Sequence, residues 1–65
     1  MAGEQDAIRQ LRHDIANPLA ALLAETQLLL LNEAQLDAET AQGLREIESL
    51  ARRMRDILAS ASTRA

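Results

Sequence analysis

The chain is predicted to be all-α, an antiparallel helical hairpin that pairs with a second copy of itself in a homodimeric four-helix bundle. Composition is the first reason: 48% of the 65 residues are apolar, yet there is no Phe, Tyr, Trp or Val, so the apolar surface is Leu, Ile and Ala with two Met. Strands are built from β-branched and aromatic residues, whereas Leu, Ala and Met are good helix formers. Periodicity is the second reason, because apolar residues recur every three or four positions in two long segments. The third is a short polar connection between those segments, which brings two helices back alongside each other.

Taken in order, the residues form a single domain over 1–65. Helix 1 is expected over about 5–32, carried by Ile8, Leu11, Ile15, Leu19, Leu22, Leu29 and Leu30. At 100° per residue these span an arc of about 100°, which reads as one buried stripe. Pro18 interrupts the hydrogen-bond ladder, since it has no amide hydrogen for the carbonyl of Asp14 and its ring crowds that carbonyl; a kink is expected between Asp14 and Pro18. A loop is expected over about 33–37, ending at Asp37, whose carboxylate can accept the free amides of the next turn as an N-cap. Helix 2 is expected over about 38–60, with Leu44, Ile47, Leu50, Ala51, Met54, Ile57 and Leu58 on one face. Gly43 inside it costs about 1 kcal/mol relative to Ala, explained equally by close backbone approach or by simple tolerance. Leu28 to Leu31 is apolar almost all round, more than one partner helix can cover, and a chain this short encloses only a thin core. Both point to a homodimer.

Composition also excludes. No cysteine means no disulfide scaffold, thiolate zinc site or cysteine nucleophile, and a single histidine leaves no metal site to expect. A net charge of −3 argues against nucleic acid, which needs a clustered positive field. No apolar run approaches the roughly 20 residues of a bilayer span, so the chain reads as cytoplasmic with no direct membrane contact, although a longer parent protein could be membrane-bound. All seven basic residues are Arg. Arg45, Arg52, Arg53 and Arg55 read as a solvated face, through the pairs Arg45–Glu48, Glu48–Arg52 and Arg52–Asp56 at helical spacing.

Chemistry is concentrated in Leu11-Arg12-His13-Asp14-Ile15-Ala16-Asn17-Pro18-Leu19. On the helical wheel His13 lies roughly 160° from the centre of the apolar stripe, so its imidazole is expected to point to solvent. Asn17, four residues on, stands beside it on the same face, and Ala16, Ala20 and Ala24 leave room for a large partner. The ring lone pair of a neutral imidazole can serve as nucleophile or base. Asp14 can orient the ring or accept its proton, and Asn17 can hold a water or a phosphoryl oxygen. With no Ser or Cys nucleophile beside them, these residues suit phosphoryl transfer and not a hydrolase triad.

The segment His13-Asp14-Ile15-Ala16-Asn17-Pro18-Leu19 resembles the H-box of sensor histidine kinases: His, Glu or Asp, a hydrophobic residue, any residue, Thr or Asn, Pro, Leu. Its Asn-Pro-Leu ending is similar to the nitrogen-regulation type, and Ala24-Glu25-Thr26-Gln27-Leu28-Leu29 continues in that manner. The resemblance covers nearly the whole chain, because the family's dimerization and histidine phosphotransfer (HisKA-type) domain is a hairpin of this length. It implies that His13 is the phosphoacceptor, taking the γ-phosphoryl group of ATP from a separate catalytic domain and passing it to an aspartate of a response-regulator receiver domain. Asp14 would assist as general base and Asn17 would position the hydrolytic water of a phosphatase activity. ATP and Mg²⁺ belong to the separate domain. No Gly-rich lid or asparagine-bearing ATP box occurs among the 65 residues, so the chain is expected to be an excised part of an ATP-dependent protein-histidine kinase, inactive as a kinase alone. The competing expectations are a stand-alone phosphorelay carrier without kinase activity and a purely structural hairpin.

Overall fold

Helix-forming Leu, Ala and Glu carry α1 without a break from Ala2 to Leu30 in a computed structural model that describes residues 2–64, with side chains described over 3–61. The helix begins three residues before the periodicity suggested and continues through Pro18, which has no amide donor for the ladder. It closes at Leu30 because the amide of Leu31 is shared between the carbonyls of Gln27 and Leu28, each at 3.2 Å, which tightens the last turn. A single 3₁₀ turn, Glu33–Gln35, follows, and Leu36 then extends the chain (φ −92°, ψ 149°) into the next helix.

α2 runs over Ala38–Arg64, four residues beyond the expected end. Asp37 starts it as its sequence position suggests: Oδ2 accepts the Thr40 amide at 3.4 Å while its carbonyl accepts the Ala41 amide at 3.0 Å. Hydrogen bonding from Thr40, side chain first and backbone second, holds the Asp37 carboxyl below the usual carboxylate range. Arg45 does not pair with Glu48. It reaches back over the connection to Glu33, tying the first turns of α2 to the 3₁₀ turn. A Cβ added at Gly43 would meet nothing within 4 Å, so no close backbone approach within the hairpin requires glycine there.

The two helices lie side by side in one layer, 52 × 16 × 13 Å overall, only about one helix diameter thick. Such a layer can bury a seam but not a core. On α1 the seam is Arg12, Ala16, Leu19, Leu23, Thr26 and Leu30; on α2 it is Ala41, Leu44, Glu48, Ala51 and Leu58. Leu19, Leu23 and Ala51 are buried together with Leu58 packed against them. Thr26, only 3% exposed, satisfies its hydroxyl by donating to the carbonyl of Leu22 at 2.7 Å.

Within the single hairpin the stripe expected to be buried on helix 1 is only partly covered. Of its seven residues only Leu19 is buried and Leu30 half-buried; Ile8, Leu11, Ile15, Leu22 and Leu29 are exposed. The reason is rotation. At 100° per residue the exposed five centre about 75° to one side of the seam, so one neighbouring helix covers the narrow strip beside them and leaves them bare. On α2, likewise, Ile47, Leu50, Met54 and Ile57 are exposed while Ala51 is 2% exposed. Of the Leu28–Leu31 run, only Leu30 is half-buried within the hairpin, and Leu31 is 80% exposed.

Candidate functional site

His13 lies on the opposite flank of the seam from the apolar row, about 100° round from Arg12 at one residue's rotation, and is exposed. Its exposure follows from the register: with Leu19 and Leu23 turned into α2, position 13 cannot also face inward. Asp14 and Asn17 are exposed on the same helix, and Asn17 stands one turn from His13. The structure thus brings His13 and Asn17 onto neighbouring positions. Asp14 does not bond to the imidazole; its Oδ1 accepts from Gln10 Nε2 at 3.0 Å, one turn earlier. Gln10 therefore sets the orientation of this carboxylate while its other oxygen stays available.

Beside His13 a cleft of about 500 Å³ opens between the helices. Leu19, Leu23 and Leu58 are among its apolar lining, and Arg12, His13, Gln27 and Arg55 contribute its polar groups. Arg12 is half-buried, and its Nε is shielded from solvent with no hydrogen-bond partner among the described residues. Arg55 is exposed and pairs with its chain neighbour Asp56 at 3.5 Å. Neither arginine was singled out as functional by sequence reasoning. The signal for Arg12 was its place on the wheel: it shares the seam direction with Leu19 and Leu23, where a long cation is unusual. Arg52 pairs with Glu48 at 3.2 Å as the spacing suggested, whereas Asp56 is engaged by Arg55.

Among the described residues no group of three or more His, Cys, Asp or Glu could hold a metal ion, and no helix is long and apolar enough to cross a membrane.

A two-helix hairpin that displays one histidine on the outer flank of its first helix, above an arginine-edged cleft, is a scaffold for presenting an imidazole and not a closed active site. The family model described as the His Kinase A (phospho-acceptor) domain matches residues 4–63, and the chain belongs to that family. No curated protein and no solved structure matches it. Membership makes it a histidine-kinase phosphoacceptor and dimerization domain of two-component signalling, a part of enzymes that transfer phosphoryl groups.

Proposed function

We propose that His13 is the phosphoacceptor. The observation that carries this reading is the outward placement of the chain's one histidine within a family match over residues 4–63. A ring nitrogen lone pair of His13 attacks the γ-phosphorus of ATP held with Mg²⁺ by a separate catalytic domain. The N–P bond forms, the bond to the β-phosphate oxygen breaks, ADP leaves, and the ring proton passes to the free oxygen of Asp14 or to water. A receiver-domain aspartate then attacks the same phosphorus, forming an acyl phosphate and releasing neutral imidazole after it regains a proton. Asn17, one turn away, positions a water for hydrolysis of the phosphorylated receiver. Positioning and charge neutralisation do most of this work.

The working unit is a homodimer. The cleft takes the flank of α1 that bears His13 and the flank of α2 that bears Arg55, so the remaining flanks, with Ile8, Ile15 and Leu22 on one and Ile47, Leu50 and Met54 on the other, share the opposite side of the hairpin. A second copy covers both rows in a four-helix bundle. This arrangement puts the dimer contact and the histidine on opposite sides.

The test is incubation with Mg²⁺-ATP and the parent kinase's ATP-binding domain. Wild-type chain should gain acid-labile, base-stable phosphate and His13→Gln none. Asp14→Asn should slow the gain by about a hundredfold, the lower end of what a positioned base supplies. Equal labelling of His13→Gln would refute the assignment.

A further inference from the structure

We infer that Arg12 and Arg55 form a two-guanidinium clamp for the phosphoryl group on His13, so that the cleft holds the phosphorylated state and not only the bare imidazole. This rests on the reading of His13 as phosphoacceptor. Both arginines line the same cleft as His13, one from each helix, and none of the side chains lining that cleft is a carboxylate. The nearest acids are otherwise placed: Asp14 takes the Gln10 amide, and Asp56 pairs with Arg55 at 3.5 Å, a solvent-exposed contact between chain neighbours that contributes little. Arg12 joins no ion pair among the described residues, and its Nε is buried without an acceptor. A shielded guanidinium nitrogen lacking an acceptor is costly in a native structure and calls for one. A phosphoryl group on the adjacent residue supplies three strong acceptor oxygens with up to two negative charges, the partner that the planar fork of arginine matches best.

The clamp has a definite chemical effect. Spontaneous loss of the phosphoryl group requires water to attack phosphorus as the N–P bond breaks, with the ring nitrogen taking up a proton and orthophosphate leaving. Two nearby cations oppose protonation of that nitrogen and withdraw the oxygen electron density that expels it. The clamp therefore prolongs the life of phosphohistidine between its formation and its delivery.

Phosphoramidate, a small-molecule phosphoryl donor, labels an exposed imidazole without any kinase, and with one histidine in the chain all of the label lies on His13, its two ring-nitrogen isomers being resolved by phosphorus NMR. Wild-type, Arg12→Gln, Arg12→Lys and Arg55→Gln chains would be labelled, confirmed helical by circular dichroism and followed by phosphorus NMR at about pH 7.5. The half-life of the phosphorylated form should fall about threefold for either glutamine variant and about tenfold for the pair, while Arg12→Lys keeps most of it. The second ionisation of the phosphoryl group should also move up by about half a pH unit in Arg12→Gln, since a neighbouring cation favours the dianion. A loss of helix packing alone would not produce that movement. Should Arg12→Gln unfold, Arg55→Gln, a change at an exposed residue, decides by the same two readings. Unchanged half-lives and titration in folded variants overturn the clamp, even if the ATP experiment succeeds. Changed values with a failed ATP experiment leave the clamp standing and remove the kinase reading.

Discussion

Two faces of α1 do opposite jobs, and the more apolar one is the one the hairpin leaves bare. The seam against α2 mixes Leu19 and Leu23 with Ala16, Thr26 and Arg12, whereas the exposed row beside it is Ile8, Leu11, Ile15, Leu22 and Leu29. Small and polar seam residues let two helices lie close with little buried area, so the seam sets the pairing of α1 with α2 but cannot by itself stabilise 65 residues. The apolar row is too large and too continuous to remain in water. In the proposed homodimer, stability comes chiefly from the contact between copies, and the intrachain contact fixes which side of the molecule His13 occupies.

The largest effect expected from this contrast comes from Leu22→Glu, which sets a carboxylate in the middle of the bare row. It should reduce the particle seen by light scattering at micromolar concentration to a single chain and remove most helical circular dichroism, because the unpaired hairpin has too little core. A monomeric mass for the unmodified chain would undo the comparison altogether. Next, Leu23→Ala on the seam should lower stability by about 2–4 kcal/mol per chain in urea denaturation and leave the dimer mass unchanged. If Leu23→Ala dissociates the dimer and Leu22→Glu does not, the two faces have been assigned the wrong way round.

Smaller effects come from places outside both faces. Gly43→Ala should raise stability by about 0.5–1 kcal/mol, since the added methyl meets nothing and only the unfolded chain loses freedom. A decrease would place Gly43 in a contact between copies. Asp37→Ala should lower the melting temperature by a few degrees through loss of the cap on Thr40. Because the folded Asp37 carboxyl is more acidic than the unfolded one, its contribution is present above the ordinary carboxylate range and fades as pH falls through its lowered value. Wild type should therefore lose stability relative to Asp37→Ala as pH falls below the ordinary carboxylate range, and parallel melting curves on acidification would exclude the cap.

The helices and the cap were legible because they rest on local rules. Three- and four-residue spacing requires helix wherever the chain sits, and an aspartate before Ala-Glu-Thr can cap only the helix those residues begin. The His13 to Leu19 segment was legible for the same reason: its residue types are adjacent in sequence. Rotation about the helix axis was the part that sequence left open. The arc from Ile8 to Leu30 is wide enough to hold both the seam and the bare row, and nothing in the periodicity says where one ends. Leu23 was overlooked as a seam residue because it sits just beyond that arc's edge, and Thr26 because it is polar although it lies within the arc. Arg12 was overlooked because a charged residue next to an exposed histidine reads as exposed, although one residue of rotation turns it into the cleft. Arg45 was assigned to a neighbour on its own helix, while its partner Glu33 lies across a turn whose shape spacing cannot convey.

Pro18 gives α1 a missing rung. With no amide to offer the carbonyl of Asp14, the turn from Asp14 to Pro18 is held by one backbone bond fewer than the turns on either side of it. Opening that turn breaks less than opening any other in the middle of the helix, so hydrogen exchange is expected to divide α1 into two cooperative stretches joined at the residues just after His13. The histidine sits at the edge of this weak joint, where the backbone can yield locally while the stretches on both sides stay wound.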